Sequence, residues 1–192
     1  MQPALAVIEL SSIAAGIVVG DAMAKRATLE VIHAGTIHPG NFLIAVGGPV
    51  GEVEEALDAA HLVAAGRIID EIFLPNVHDE VVGALRGTRL PSSGEALGVL
   101  ESSTAASIVE AADAGVKGAA VTLREIRLAD GLGGKGYLLF GGPVAEVEIA
   151  VEVGAARIHP SKLVGAEVIA SLHGEMEENL GGAARFRDRI VE

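Results

Sequence analysis

Short apolar runs alternate with longer stretches of mixed polarity along the chain, and the same alternation occurs twice. Leu5 to Leu10 is a run suited to a buried strand. Ser11-Ser12 beyond it can cap a helix whose apolar positions Ile13, Ile17 and Met23 share one face. Thr28 to His33 reads as a second strand, and a Pro/Gly loop over Ile37 to Gly40 leads to a third, Asn41 to Val46. The Gly-Gly-Pro turn sets Pro49 ahead of a helix from Val50 to Ala65, acidic in its first turns as the helix dipole favours. Ile68 to Leu74 gives a fourth strand, and a short helix follows His78.

The second half repeats this order. ALAVIELSSIAAGIVVGDAMAKRA from Ala4 aligns without a gap on ALGVLESSTAASIVEAADAGVKGA from Ala96, matching Glu9 to Glu101, Ser11 to Ser103, Asp21 to Asp113 and Lys25 to Lys117. GGPVGEVEEA from Gly47 matches GGPVAEVEIA from Gly141, and His78-Asp79-Glu80 matches His173-Gly174-Glu175. The last strand of the second copy falls around Leu163 to Ala170. The order β-α-β-β-α-β-α predicts two tandem α/β domains of ferredoxin-like (α+β) type, residues 1–88 and 95–180, with a tail over 181–192. Arg86 to Glu95, with Pro91, Ser92, Ser93 and Gly94, reads as the linker.

Composition narrows the function. Half of the 192 residues are apolar, 25 more are glycine, and there is no Trp and one Tyr, so the apolar mass is Ala, Val, Leu and Ile. Such a surplus predicts surface buried between subunits. A net charge of −12 argues against nucleic acid or an anionic membrane as partner. The absence of cysteine excludes disulfides, thiolate metal sites and a cysteine nucleophile. Residues 1–20 are apolar but carry Glu9 and no basic leader, and no apolar run reaches membrane-spanning length, so a soluble cytoplasmic protein is expected. Glu52-Val53-Glu54-Glu55 and Glu146-Val147-Glu148 occupy early helix turns and read as solvated faces rather than catalytic carboxylates. The Ser pairs at 11–12 and 102–103 read as helix caps, outside any G-x-S-x-G elbow, and no enzymatic activity is expected.

A duplicated ferredoxin-like domain serves shells, sensors and enzymes alike, so the motifs decide. From Ala4 to about Leu180 they resemble those of bacterial microcompartment shell proteins. The strand ends in Ile8-Glu9-Leu10-Ser11-Ser12. The first helix ends in Asp21-Ala22-Met23-Ala24-Lys25, repeated as Asp113 to Lys117. The second helix starts in Gly48-Pro49-Val50-Gly51-Glu52-Val53, and the last follows His78 or His173. The chain is most similar to the unpermuted, tandem-domain, trimer-forming branch known from propanediol-type compartments.

That resemblance implies a homotrimer acting as a pseudo-hexameric tile beside other shell proteins. It places Lys25 and Lys117, with His78 and His173, at tile edges. It also brings the loops between strands two and three to a central pore for small metabolites, lined by Ile37, His38, Pro39, Gly40, Leu132, Gly133, Gly134 and Lys135. Relatives of this branch carry a cluster-binding cysteine where this chain has His38. No cofactor is therefore expected: a conventional iron–sulfur cluster lacks its thiolates, and His38 either lines the pore or, as a ring of three imidazoles, holds a metal ion. His33 and His61 read as packing residues, and His159-Pro160 as a loop. The tail around Arg185-Phe186-Arg187 reads as a frayed end or a short docking helix. The competing functions are a metal-binding or redox shell component and a trimeric small-molecule sensor.

Overall fold

The computed structural model describes residues 3–91 and 95–181. The tail reading falls on residues outside that range, as do Ser92, Ser93 and Gly94 of the linker. Domain 1 runs β1 (Ala4–Leu10), α1 (Ile13–Arg26), β2 (Val31–Ile37), β3 (Asn41–Gly48), α2 (Val50–Val63), β4 (Ile68–Leu74) and α3 (Asp79–Leu85). Domain 2 repeats it as β5 (Ala96–Ser102), α4 (Ala105–Gly118), β6 (Thr122–Leu128), β7 (Gly136–Gly142), α5 (Val144–Ala155), β8 (Leu163–Ile169) and α6 (Gly174–Gly181). Each domain has one four-stranded antiparallel sheet, ordered β2-β3-β1-β4 and β6-β7-β5-β8. The ferredoxin-like α/β reading holds in both halves. Strand two begins three residues later than its β-propensity suggests, because Thr28 to Glu30 make the turn off α1 and tie to α2 and β3.

The helix packing corrects one expectation. Of Ile13, Ile17 and Met23 only Met23 is buried; the buried face of α1 is Gly16, Val19, Gly20 and Met23. The glycines explain this. A Cβ on Gly16 would lie 2.4 Å from the Phe42 ring, so the helix sits on the sheet through its smallest residues and the aromatic fills the gap. Domain 2 solves the same problem with the sizes exchanged. The counterparts of Gly16 and Phe42 are Ile108 and Gly136, and a Cβ on Gly136 would come 2.6 Å from Ile108. Met23 against Val46 becomes Gly115 against Phe140, with a Gly115 Cβ only 2.3 Å from the ring. Volume is conserved between helix and sheet although neither residue is.

The two domains share a core. Val7, Ile72, Leu74, Val77, Val81 and Ala84 of domain 1 belong to the same buried cluster as Leu100, Ile108, Val109, Leu123 and Phe140 of domain 2. Sheet 1 is thus covered on one face by α1 and α2 and on the other by domain 2. Double coverage explains why β1 is apolar at every position but Glu9 rather than alternating.

Gly16→Ile should lower stability by about 1–3 kcal/mol through overpacking. Adding Phe42→Gly, which installs domain 2's arrangement, should restore part of the loss. Urea unfolding of the two variants beside the parent measures both.

Candidate functional site

The contact between the domains is built on an asymmetry between equivalent elements. β4 buries Asp70, Ile72 and Leu74, whereas its counterpart β8 leaves Val164 and Ile169 exposed. α4 buries nine residues and α1 four; β6 is largely buried and β2 largely exposed. Within the chain, then, the β4/α3 face of domain 1 is pressed on the α4/β6 face of domain 2. The same two faces on the far sides, β8/α6 and α1/β2, stay open.

At the centre of the closed junction lies Asp70, 7% exposed. Its Oδ2 accepts from Thr104 Oγ1 at 2.6 Å, Ser107 Oγ at 2.6 Å and Ser107 N at 3.0 Å, and its Oδ1 from Lys162 Nζ at 2.5 Å. Burial alone would raise the Asp70 carboxyl, but the bonds from Lys162, Ser107 and Thr104 outweigh it and hold the group below its ordinary value. Glu9 lies beside it across the strands. Its Oε2 accepts from Ala105 N at 2.9 Å, at the start of α4, and its Oε1 from Asn41 Nδ2 at 3.0 Å. Here burial prevails, aided by the Asp70 charge, and Glu9 is pushed up despite the two hydrogen bonds and nearby Lys162.

Further out, His78 N donates to Asp113 Oδ1 at 2.8 Å, and Leu123 N to Glu80 Oε2 at 2.7 Å. Lys117 pairs with Asp113 at 2.5 Å and also donates to the Asn76 carbonyl. The described linker is sewn to β6 rather than free: Leu90 N donates to Arg124 O at 2.9 Å, and Arg89 pairs with Glu125 at 3.0 Å. Of the four residues assigned to edges, Lys117 and His78 therefore meet at this junction through Asp113. Lys25 lies in the open, paired with Asp21 at 2.6 Å, and His173 caps α6 through Glu175 N. His78 caps α3 through Glu80 N in the same way.

The loops between strands two and three come together at another end of the molecule. Gly134 has φ +95°, and a Cβ there would lie 3.0 Å from His38 O and 3.1 Å from Pro39 Cδ. Gly131 and Gly133 also have positive φ, and Ala129 joins them at 46°. Gly134 thus packs beside His38 and Pro39, with Ile37 and Gly40 on the first of these loops and Leu132, Gly133 and Lys135 on the second. His38 Nδ1 lies 3.5 Å from Asp130 Oδ1, both well exposed, and Lys135 pairs with Glu101 at 2.8 Å. Among the described residues of one chain, no three His, Cys, Asp or Glu side chains are grouped to hold a metal ion. A thiolate-ligated cluster does not fit, since the chain has no cysteine and residue 38 is a histidine.

Several smaller readings change. His33 is exposed and His61 pairs with Glu71 at 2.7 Å, so neither is buried in packing. Glu52 and Glu146 are more than solvated faces: each accepts from the backbone after the preceding helix, Thr28 N at 2.5 Å and Ala120 N at 2.7 Å. Ser12 does cap α1, through Ala15 N. The cap of α4 is Thr104, however, whose own N–H is held by Ser102 Oγ. Asp70 was not singled out from sequence; its one signal is a charged pair, Asp70-Glu71, inside an otherwise apolar strand.

Comparison with known proteins agrees with this architecture. The BMC domain model matches residues 4–77 and again 96–172. The bacterial microcompartment shell protein PduT of Citrobacter freundii is 39% identical over 153 residues, covering 80% of this chain and 83% of that one. The carboxysome shell protein CcmK3 of Halothece sp. is 32% identical over 85 residues, 42% of this chain and 83% of its own length. In structure, a microcompartment protein from Desulfitobacterium hafniense superposes with a TM-score of 0.78 at 34% identity, over 93% of this chain and 99% of that one.

Asp70→Asn and Glu9→Gln should act in opposite directions. Asp70 contributes stability that is present above its unfolded value, near 3.9, and is lost as pH falls through its depressed folded value. Asp70→Asn should therefore cost about 3–5 kcal/mol at pH 7, since it strands Lys162, with a difference that shrinks in acid. Glu9 carries a penalty that sets in as pH rises past its unfolded value, about 4.3, and is complete above its raised folded value. Glu9→Gln should be neutral or stabilising at pH 7 and lose that advantage below pH 4. Urea midpoints from pH 3 to 8 measure both.

Proposed function

The chain belongs to the bacterial microcompartment (BMC) domain family and is a shell protein, and on that premise we propose that three copies close into a six-lobed tile with a small-molecule pore on its axis. One observation carries the reading: each chain holds one closed domain junction and both halves of a second, unclosed one. The open halves are unusually apolar. Ile13, Ile17, Val18, Val31 and Ile32 are exposed on the α1/β2 side, and Val164, Ile169 and Met176 on the β8/α6 side. A head-to-tail interface of this kind either closes into a ring or grows without end, and two lobes per chain need three chains for six.

In that ring the strand two–three loops face the axis. Ile37, His38, Pro39 and Gly40 alternate with Leu132, Gly133, Gly134 and Lys135, and Asp130 beside His38 adds a carboxylate to the rim. The paired charges suit passage of small polar molecules. Lys25 and Lys117, with His78 and His173, sit where junctions reach the tile's outer edge and meet neighbouring shell proteins; the lysines' long stems lie flat there and their ammonium groups donate to carbonyls. The tile acts by assembly and permeation, without chemistry or cofactor of its own, in the shell of a compartment within the cytoplasm. Neither nucleic acid nor membrane is a partner. Among the described residues no helix is long and apolar enough to cross a membrane.

Sedimentation of the purified chain should give three times its 19.5 kDa mass, and concentrated protein should form sheets or tubes in electron micrographs. Lys25→Ala with Lys117→Ala should keep the sedimenting species and lose the sheets. A discrete assembly that never tiles would favour the sensor instead.

His38 has its own test. Metal analysis of the assembled protein beside His38→Ala should find no ion in either. About one ion per three chains, lost in the variant, would make the axis a tris-histidine metal site.

A further inference from the structure

The closed junction can be used as a template for the open one, and at its centre the two differ. We infer that Glu101 of one copy takes over the place of Asp70 and binds the start of α1 and Arg67 of the next copy. The inference rests on the ring just proposed and names the contact that closes it.

Three correspondences support it. First, Arg67 stands where Lys162 stands. Ser11 N donates to Arg67 O at 2.9 Å, and Ser103 N to Lys162 O at 2.8 Å, so both residues enter their last strand from the same backbone position. Lys162 reaches out of its own domain to Asp70 of the other, whereas the Arg67 side chain is exposed. Second, the residue opposite that cation changes. β5 pairs Glu101 with Gly165 in the register where β1 pairs Glu9 with Asp70, so domain 2 has no Asp70. Third, Glu101 leans into the vacated space. Its Oε2 lies 4.0 Å from where a Gly165 Cβ would be, while its Oε1 is held by Lys135. Glu9 divides its oxygens alike, with Oε1 on Asn41 and Oε2 on Ala105 N of the facing helix.

Transferred to the open junction, Glu101 Oε2 receives the N–H of Ile13, the counterpart of Ala105, at the positive end of α1. The guanidinium of Arg67, longer and with more donors than Lys162, spans the gap that a missing aspartate leaves. The closed node sets two carboxylates, Glu9 and Asp70, around one cation. The open node sets two cations, Lys135 and Arg67, around one carboxylate. The chain thus carries two distinct locks of opposite local charge.

The test is a double-mutant cycle on the dissociation of the full-length trimer, followed by sedimentation over a dilution series. Arg67→Glu should weaken the trimer at least tenfold, and Glu101→Arg likewise. The combined variant should be at least fivefold tighter than the product of the two single effects. Both side chains are at least partly exposed in the single chain, so urea unfolding of the dissociated variants serves as the control for folding. Trimers with additive effects, or with a dissociation constant within twofold of the parent for Arg67→Glu, would overturn the contact while leaving the ring in place. A parent chain that stays monomeric would overturn the ring itself.

Discussion

A carboxylate buried at a domain boundary has to be neutralised by the other domain, and Asp70 is such a group. Two hydroxyls, a backbone amide and an ammonium reach it, all from domain 2. Removing any one of them while the domains stay docked would leave a desolvated charge short of partners. The apolar surface around it, from Val7 and Ile72 to Ile108 and Leu123, brings the domains together without choosing an orientation. The polar node supplies the choice. With Glu9 on the first amide of α4, it fixes how that helix lies over sheet 1. The relative placement of the two axis loops, and so of His38 and Asp130, follows from this docking.

The duplication is close in outline and divergent in detail, and the divergence is ordered. Core positions differ by exchange, with Gly16 and Phe42 becoming Ile108 and Gly136, so that each domain keeps its density. Junction positions differ by role. Asp70 becomes Gly165, Ser107 corresponds to Ala15, and Ala105 and Glu110 correspond to the exposed Ile13 and Val18. The face closed within the chain is therefore polar at its centre and the face left open is more apolar. In the proposed ring that division suits a contact formed between separate molecules, where hydrophobic burial provides most of the driving force.

Much of this was legible beforehand. The strands were visible as apolar runs, and the repeat gave the domain organisation before any single motif was interpreted. Ile68 to Leu74 coincides with its strand because the turn at Gly66 and Pro75 bracket it. What escaped was tertiary. Periodicity alone put Ile13 and Ile17 inside, because it weighs apolar residues and cannot see that Gly16 and Gly20 bring the helix closest to the sheet. The pairing of His38 with Asp130 joins residues 92 positions apart and leaves no local trace. Asp70 escaped because its partners belong to the other repeat, where an alignment of the halves shows only a glycine opposite it.

The contact between Gly134 and the His38–Pro39 backbone has one more consequence. Even a methyl group at residue 134 would meet His38 O at 3.0 Å, so the loop beside His38-Pro39 keeps a glycine there, as Gly40 does at the matching place, while dropping the His-Pro pair itself. A hexamer of identical domains cannot offer that arrangement, because whatever one loop carries its neighbour carries too. In the proposed ring, fusing two domains into one chain halves the symmetry at the axis and lets one loop serve as spacer while the other carries His38. Duplication would then be a way of breaking sameness, letting the centre of the proposed ring evolve in three places without being forced to change in six.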